Sequence, residues 1–199
     1  MKTEIVTLRY GNTFTFLVKG LTGSLLVDTD WAGTLQGLFH ALKADGIRLN
    51  QISCVMATHY HPDHCGLIGQ LQERGLQLLL LESQVQSVHD PDYIFAREKR
   101  EYTPVDPAKA AVVSERESRP FLKKLGIEGE IIRTASHSAD SVSLMLDDGS
   151  CFVGDLEPPE YIGAYPDNAP LATDWKKLMN RHPKIIYRAH APARAFQTV

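Results

Sequence analysis

Three of the eight histidines in this chain fall within six positions, in the segment Thr58-His59-Tyr60-His61-Pro62-Asp63-His64-Cys65-Gly66, together with an aspartate. Imidazole and carboxylate are the donor types that hold zinc, and also iron and manganese. The segment directly follows the apolar run Ile52–Ala57, which reads as a buried strand. It precedes Leu67, Ile68 and Leu71, whose spacing predicts a helix ending near Gly75. Alternate residues of an extended segment project to the same side, so His59 and His61 can reach one ion together. Asp63 and His64 then turn into the helix start and can serve a second ion beside it. The alternative is a surface loop that happens to be rich in histidine.

The segments before the cluster read as short strands. Thr3–Leu8, Thr13–Lys19 and Ser24–Asp28 are rich in β-branched and aromatic residues and are separated by glycine turns, which predicts an antiparallel meander. Leu35, Leu38, Phe39 and Leu42 recur at helical spacing up to Gly46, and Leu76–Leu81 reads as a further strand. From Glu82 to Arg119 the pattern weakens, and the alternating charges of Arg97-Glu98-Lys99-Arg100-Glu101 read as a solvated helix face. Tyr93, Phe95 and Tyr102 lie in this stretch, either roofing a site or anchoring the segment to the core. A helix around Arg119–Leu125, strands at Glu130–Arg133, Ser141–Leu146 and Cys151–Val153, a helix through Trp175, Leu178 and Met179, and Lys184–Tyr187 complete the order. Strict β–α–β alternation is not evident, which suggests two packed sheets covered by helices.

With 199 residues, 43% hydrophobic and 23% charged, the chain is expected to be one folded domain spanning positions 1–199, not a disordered one. A net charge of −3 gives no electrostatic footprint for nucleic acid. The aliphatic run Leu78–Leu81 is far short of the ~20 residues of a membrane span. The odd count of three cysteines, Cys54, Cys65 and Cys151, fits a reducing compartment better than a disulfide framework.

The pattern His59-x-His61-x-Asp63-His64 resembles the His-x-His-x-Asp-His signature of the metallo-β-lactamase fold superfamily, and the order of elements is similar from end to end. Leu26-Val27-Asp28-Thr29 is similar to that family's strand ending in Asp, and Phe152-Val153-Gly154-Asp155 to its strand ending in Gly-Asp. Thr134-Ala135-Ser136-His137 keeps the histidine of a Thr-Pro-Gly-His turn without its Pro and Gly. Arg188-Ala189-His190 keeps the histidine of a terminal Gly-His. The resemblance implies an α+β fold of the four-layer αββα sandwich type. It also implies two divalent ions, zinc first, with iron or manganese as alternatives. His59, His61 and His137 would hold one ion, Asp63, His64 and His190 the other, with Asp155 between them.

The implied activity is metal-dependent hydrolysis. Two dications offset by Asp63, Asp155 and a bridging hydroxide leave a net positive centre, which lowers the pKa of a bound water from 15.7 toward roughly 7. Asp63 would accept a proton from the attacking water and return one to the leaving group. Asp28 would orient the ligand loop, unless it is a plain helix or turn cap. Tyr161 is a candidate for polarising the substrate carbonyl, as a tyrosine does in the lactonase branch at shorter spacing. His40, His89 and His182 match no ligand position, and Cys65 reads as a small packed residue.

The resemblance does not name a substrate. Glyoxalase II-like thioesterases append a helical domain, RNA-processing branches insert extra domains and flavodiiron proteins add a flavodoxin domain, whereas this sequence ends nine residues after His190. β-Lactamases proper are exported, and the opening Met-Lys-Thr-Glu-Ile-Val-Thr has no apolar core. The expectation is therefore a cytoplasmic hydrolase of a small-molecule ester, thioester or lactone, with no nucleic-acid or membrane partner and with its oligomeric state open. Two other classes remain: a mononuclear iron enzyme of the persulfide dioxygenase kind, and a metal-binding regulatory module without turnover. Ala135, Ser136 and Asp140, all near His137, depart from the family pattern.

Overall fold

Leu25, Leu26 and Val27 are all fully buried, so the strand they form has no face left for water. The computed structural model describes residues 3–165 and 168–196. Its first sheet holds β1 (Glu4–Leu8), β2 (Thr15–Lys19), β3 (Ser24–Val27), β4 (Cys54–Met56), β5 (Gln77–Leu81) and β6 (Ala111–Val113), in that spatial order. The first three strands form the expected antiparallel meander, and β3 to β6 run parallel. The second sheet holds β7 (Gly129–Arg133), β8 (Val142–Leu146), β9 (Ser150–Phe152), β10 (Ile185–Tyr187) and β11 (Arg194–Ala195), again in sequential order. The helices are α1 (Leu35–Ala44), α2 (Pro62–Cys65), α3 (Ile68–Glu73), α4 (Asp92–Arg97), α5 (Glu115–Lys124) and α6 (Ala169–Met179).

Strand alternation assigns each apolar side chain to a layer. Phe16, Val18, Leu25, Val27 and Met56 pack between the sheets against Val142, Leu144 and Phe152. Leu17, Leu26, Val55, Leu78 and Leu80 point the other way, onto Leu38 and Leu42 of α1 and Ile68 and Leu71 of α3. On the far side of the second sheet, Met145, Cys151 and Ile186 meet Leu171, Trp175 and Leu178 of α6. The result is the αββα sandwich that the sequence led us to expect.

The middle of the chain differs from the sequence reading. Helices cross over between β3, β4, β5 and β6, so the first sheet does contain regular β–α–β alternation. Its last strand, β6, is three residues long and only partly buried, too short to show a period of two. The charged run is no helix face: α4 ends at Arg97, Lys99 takes φ +53°, and the Arg100 guanidinium lies over the Trp31 ring. Helix α5 starts at Glu115 rather than near Arg119. The Ser114 hydroxyl accepts the Glu117 N–H there, and the Glu117 carboxylate accepts the Ser114 N–H.

The loops leaving β3, β4, β9 and β10 open at one edge, the carboxyl ends of parallel strands. Gly66 keeps two of these loops in contact, because a Cβ there would overlap the Ala32 backbone nitrogen and the Asp30 carbonyl. Gly66→Ala is therefore expected to lower stability by about 3 kcal/mol, the upper range for overpacking. The readout is the urea midpoint at unchanged slope. An unaltered midpoint would show that these loops can separate freely.

Candidate metal centre

Beyond Met56 the chain bends at Thr58 and His59 and is extended again at His61, whose φ of −72° and ψ of 151° place it just before the helix that Pro62 opens. His59 and His61 thus leave the bent loop after β4, while Asp63 and His64 leave the single turn of α2. His137 comes from the turn between β7 and β8, and His190 from the loop after β10. Asp155 follows Gly154, whose φ of +55° and missing side chain let the turn lie against Thr58.

These loops bring the seven side chains together in two groups. Donor atoms of His59, His61, His137 and Asp155 lie within 4.8 Å of one another, as do those of Asp63, His64 and His190. Asp155 faces both groups. Its Oδ2 is 3.3 Å from His64 Nε2, 3.9 Å from His137 Nε2 and 4.0 Å from His59 Nε2, and its Oδ1 is 3.3 Å from His190 Nε2. Asp63 Oδ2 stands 3.2 Å from the same His190 nitrogen.

Hydrogen bonds behind the rings set which nitrogen is free. Asp28 Oδ2 and the Asn12 carbonyl only accept, so His64 and His190 donate from Nδ1, at 3.1 and 3.2 Å. The Thr58 hydroxyl gives its proton to Asp28 at 2.9 Å, so it accepts from His59 Nδ1 at 3.2 Å. All three rings therefore turn Nε2 inward, as a free lone pair on neutral His59. The Nε2 atoms of His59 and His64 are buried and lack any hydrogen-bond partner among the described residues, as a pair of ligand atoms would. His61 Nδ1 and His137 Nε2 meet at 3.2 Å and converge on the same side. The donor set and these orphaned nitrogens fit divalent cations.

Burial and the neighbouring imidazoles of His64, His137 and His61 hold His59 far below its ordinary pKa, so it is neutral. Burial also opposes charge on His64, but Asp28 and Asp155 flank that ring and push it up to about 10. Burial would raise the Asp155 carboxyl; His64, His190 and His59 instead hold it well below the usual range. Positive charge at His64 is thus favoured by the carboxylates on either side of it.

Asp28, expected to orient the ligand loop or serve as a cap, takes Thr58 N–H at 2.6 Å besides the Thr58 hydroxyl and His64. Tyr161 is 45% exposed, its ring stacks on Tyr165 with centroids 6.5 Å apart, and among the described residues it makes no polar contact with the seven. Cys65 is packed and buried. Phe95 and Tyr102 anchor their segment with ring centroids 5.2 Å apart, whereas Tyr93 is exposed.

Three supports escaped sequence reasoning. Asp140 accepts Tyr60 N–H at 2.7 Å and the Ser138 hydroxyl at 2.7 Å, joining the loop of His59 and His61 to that of His137. Buried Gln84 donates to the Ala57 and Thr58 carbonyls, and Thr13 Oγ1 reaches Asp63 Oδ2 at 3.4 Å. Gln84 and Thr13 carry no local pattern. Asp140 had a signal, its departure from the family motif beside His137.

Comparison with known proteins points the same way. A family profile described as the metallo-beta-lactamase superfamily matches residues 8–190. The metallo-beta-lactamase domain-containing protein 1 of Rattus norvegicus is 33% identical over 66 residues, which are 33% of this chain and 26% of that protein. This chain thus covers about a quarter of that relative's length. A metallo-beta-lactamase family protein of Thermus thermophilus shares the fold with a TM-score of 0.70 at 19% identity, covering 98% of this chain and 74% of its own. The B3 metallo-beta-lactamase BLEG-1 superposes with a TM-score of 0.73 at 18% identity, covering 96% and 94%. A protein solved in a di-iron-bound form does so at 0.71 and 22%, also covering 96% and 94%.

The raised His64 gives a pH expectation. Its folded pKa lies above the unfolded value of ~6.5, so its proton stabilises the metal-free fold fully below that pH. That stability is lost as pH rises toward about 10. Metal binding displaces the proton, so stabilisation by zinc grows over the same range. The zinc-induced rise in melting temperature should therefore be larger at pH 9 than at pH 6. Equal shifts at both would rule out competition at His64.

Proposed function

Because the chain belongs to the metallo-beta-lactamase superfamily, we propose that it is a hydrolase with a dinuclear zinc centre that cleaves an ester, thioester or lactone-type bond of a small molecule. The observation that carries this reading is the pair of donor groups sharing Asp155, with the buried Nε2 atoms of His59 and His64 left unpartnered between them. His59, His61 and His137 would hold one ion and Asp63, His64 and His190 the other, with Asp155 serving both. Bound there, the ions would supply Lewis acidity, lowering the pKa of coordinated water toward roughly 7 and polarising an electrophilic oxygen.

The chain's own groups do the rest. Asp28, Thr58 and the Asn12 carbonyl hold the ligand imidazoles in the tautomer that leaves Nε2 free. Asp63, with 22% of its side chain exposed, is reachable by a substrate and would take and return a proton. The cluster is open on that side, since His190 is also 42% exposed. A cleft of about 210 Å³ lined by Ser136, His137, Glu157, Asn168 and Leu171 adjoins the other group and suits part of a small molecule. Asn168 also donates to the Tyr161 carbonyl, which leaves Tyr161 at the border of that cleft.

The completeness of the group Asp63, His64 and His190 favours two ions over a single iron of the persulfide dioxygenase kind. The placement of Asp63 favours turnover over a purely regulatory module. Iron remains the second choice of metal, the structural neighbour solved in a di-iron form being the observation in its favour. The proposal includes no nucleic-acid or membrane partner; among the described residues no helix is long and apolar enough to cross a membrane. A cytoplasmic setting belongs to it as well, supported by three buried free cysteines.

Metal analysis of protein purified without added metal should return about two ions per chain, zinc dominant. A panel of generic esters, thioesters and lactones should be turned over in proportion to that loading. Asp63→Asn is expected to lower kcat by about 100-fold or more, the scale of a lost general base. His137→Ala should lose metal and activity together. Full activity in the Asn variant with its metals bound would remove Asp63 from proton transfer, and a metal-free protein active on the panel would overturn the reading.

A further inference from the structure

A second cleft, of about 420 Å³, is lined by Gly11, Asn12, Asp30, Trp31, Thr34 and Arg100. One loop connects it to the ligand cluster: the Asn12 carbonyl accepts from His190 at 3.2 Å, and Thr13 Oγ1 lies 3.4 Å from Asp63. The cleft thus shares a loop with the ligand cluster, next to Asp63 and His190.

Arg100 is the cation of this cleft, and it is held in place. Its guanidinium carbon lies 4.5 Å over the Trp31 ring, and Trp31 meets buried Phe95 edge-on with centroids 6.5 Å apart. Nε donates to Glu98 at 2.8 Å and Nη1 to the Ala32 carbonyl at 3.3 Å. Among the described residues, Nη2 and the second Nη1 proton have no partner, which leaves one edge of a planar fork open. The other charge in the lining is turned away. Asp30 is 2% exposed, its Oδ1 is closed off from solvent, and its Oδ2 occupies the space a Gly11 Cβ would need.

We propose that this cleft binds a carboxylate at the non-reacting end of the substrate, with Arg100 determining specificity and Trp31 flanking the carbon chain between the two ends. A carboxylate matches the open fork edge in shape and in its need for N–H donors. Glu98 takes Nε alone, so the Nη protons that remain suit the two oxygens of one planar carboxylate. The turnover arm of the test rests on the hydrolase reading, and the binding arm does not.

The test compares mono-p-nitrophenyl glutarate with p-nitrophenyl valerate on the zinc-loaded protein. The carboxylate ester should be favoured in kcat/KM by about tenfold or more, chiefly through KM, as expected for a charged hydrogen-bonded pair. Arg100→Gln should reduce that ratio by a similar factor, and Arg100→Lys should retain part of it. Separately, glutarate should shift the Trp31 indole N–H resonance of the zinc-loaded protein and leave it unmoved in Arg100→Gln. If neither ester reacts but glutarate shifts that resonance only in the parent protein, the cleft stands and the hydrolase reading falls. If both esters react with the same ratio in parent and Arg100→Gln, or glutarate moves the signal in neither or in both, the cleft proposal is overturned.

Discussion

The carboxylate of Asp28 accepts the N–H and hydroxyl of Thr58 and the Nδ1–H of His64, and so ties the end of β3 to the end of β4 and to the turn of α2. Burying a carboxylate is costly unless its oxygens are satisfied, and these hydrogen bonds, worth about 1.5–3 kcal/mol each for a charged acceptor, offset that cost. The residue adopts φ +57°, a left-handed conformation that aspartate tolerates better than most. That conformation ends β3 and turns the side chain across to the neighbouring strand. Through Thr58 the same carboxylate sets His59, so one residue orients ligands assigned to both groups.

The other loops are fixed by the same device at smaller scale. Asp140 joins the loop of His59 and His61 to that of His137, Gln84 holds the carbonyls entering the motif, and the Asn12 carbonyl orients His190. Each anchor lies on a different loop from the ring or backbone it steadies. Hydrogen bonds from the protein itself therefore hold the ligand-type side chains, which lowers the ordering cost of binding a cation. Asp28 and Asp155 flank His64, and their negative charge outweighs the cost of burying a protonated ring there.

Much of the fold and of the centre was legible in the sequence. The apolar strands and the meander follow from local patterns, whereas the αββα layering and the full set of seven side chains came from the resemblance to a family. Segment 82–119 was not legible, because β6 is short and α4 is a six-residue helix between prolines and charges. What orders that segment is Phe95 and Tyr102 packing at a distance, together with Arg100 on Trp31. None of these contacts leaves a periodic trace.

The sequence by itself determined which residue types stand at the ends of which strands, because burial and hydrogen-bond periodicity act over a few residues at a time. Only the tertiary structure decided that Asp140 would anchor Tyr60, that Gln84 would hold Thr58, and that Arg100 would open one edge beside Asn12. Those partners are separated by 80, 26 and 88 positions. Pairing across such distances is set by how two twisted sheets and their loops pack, and no local pattern along the chain encodes it.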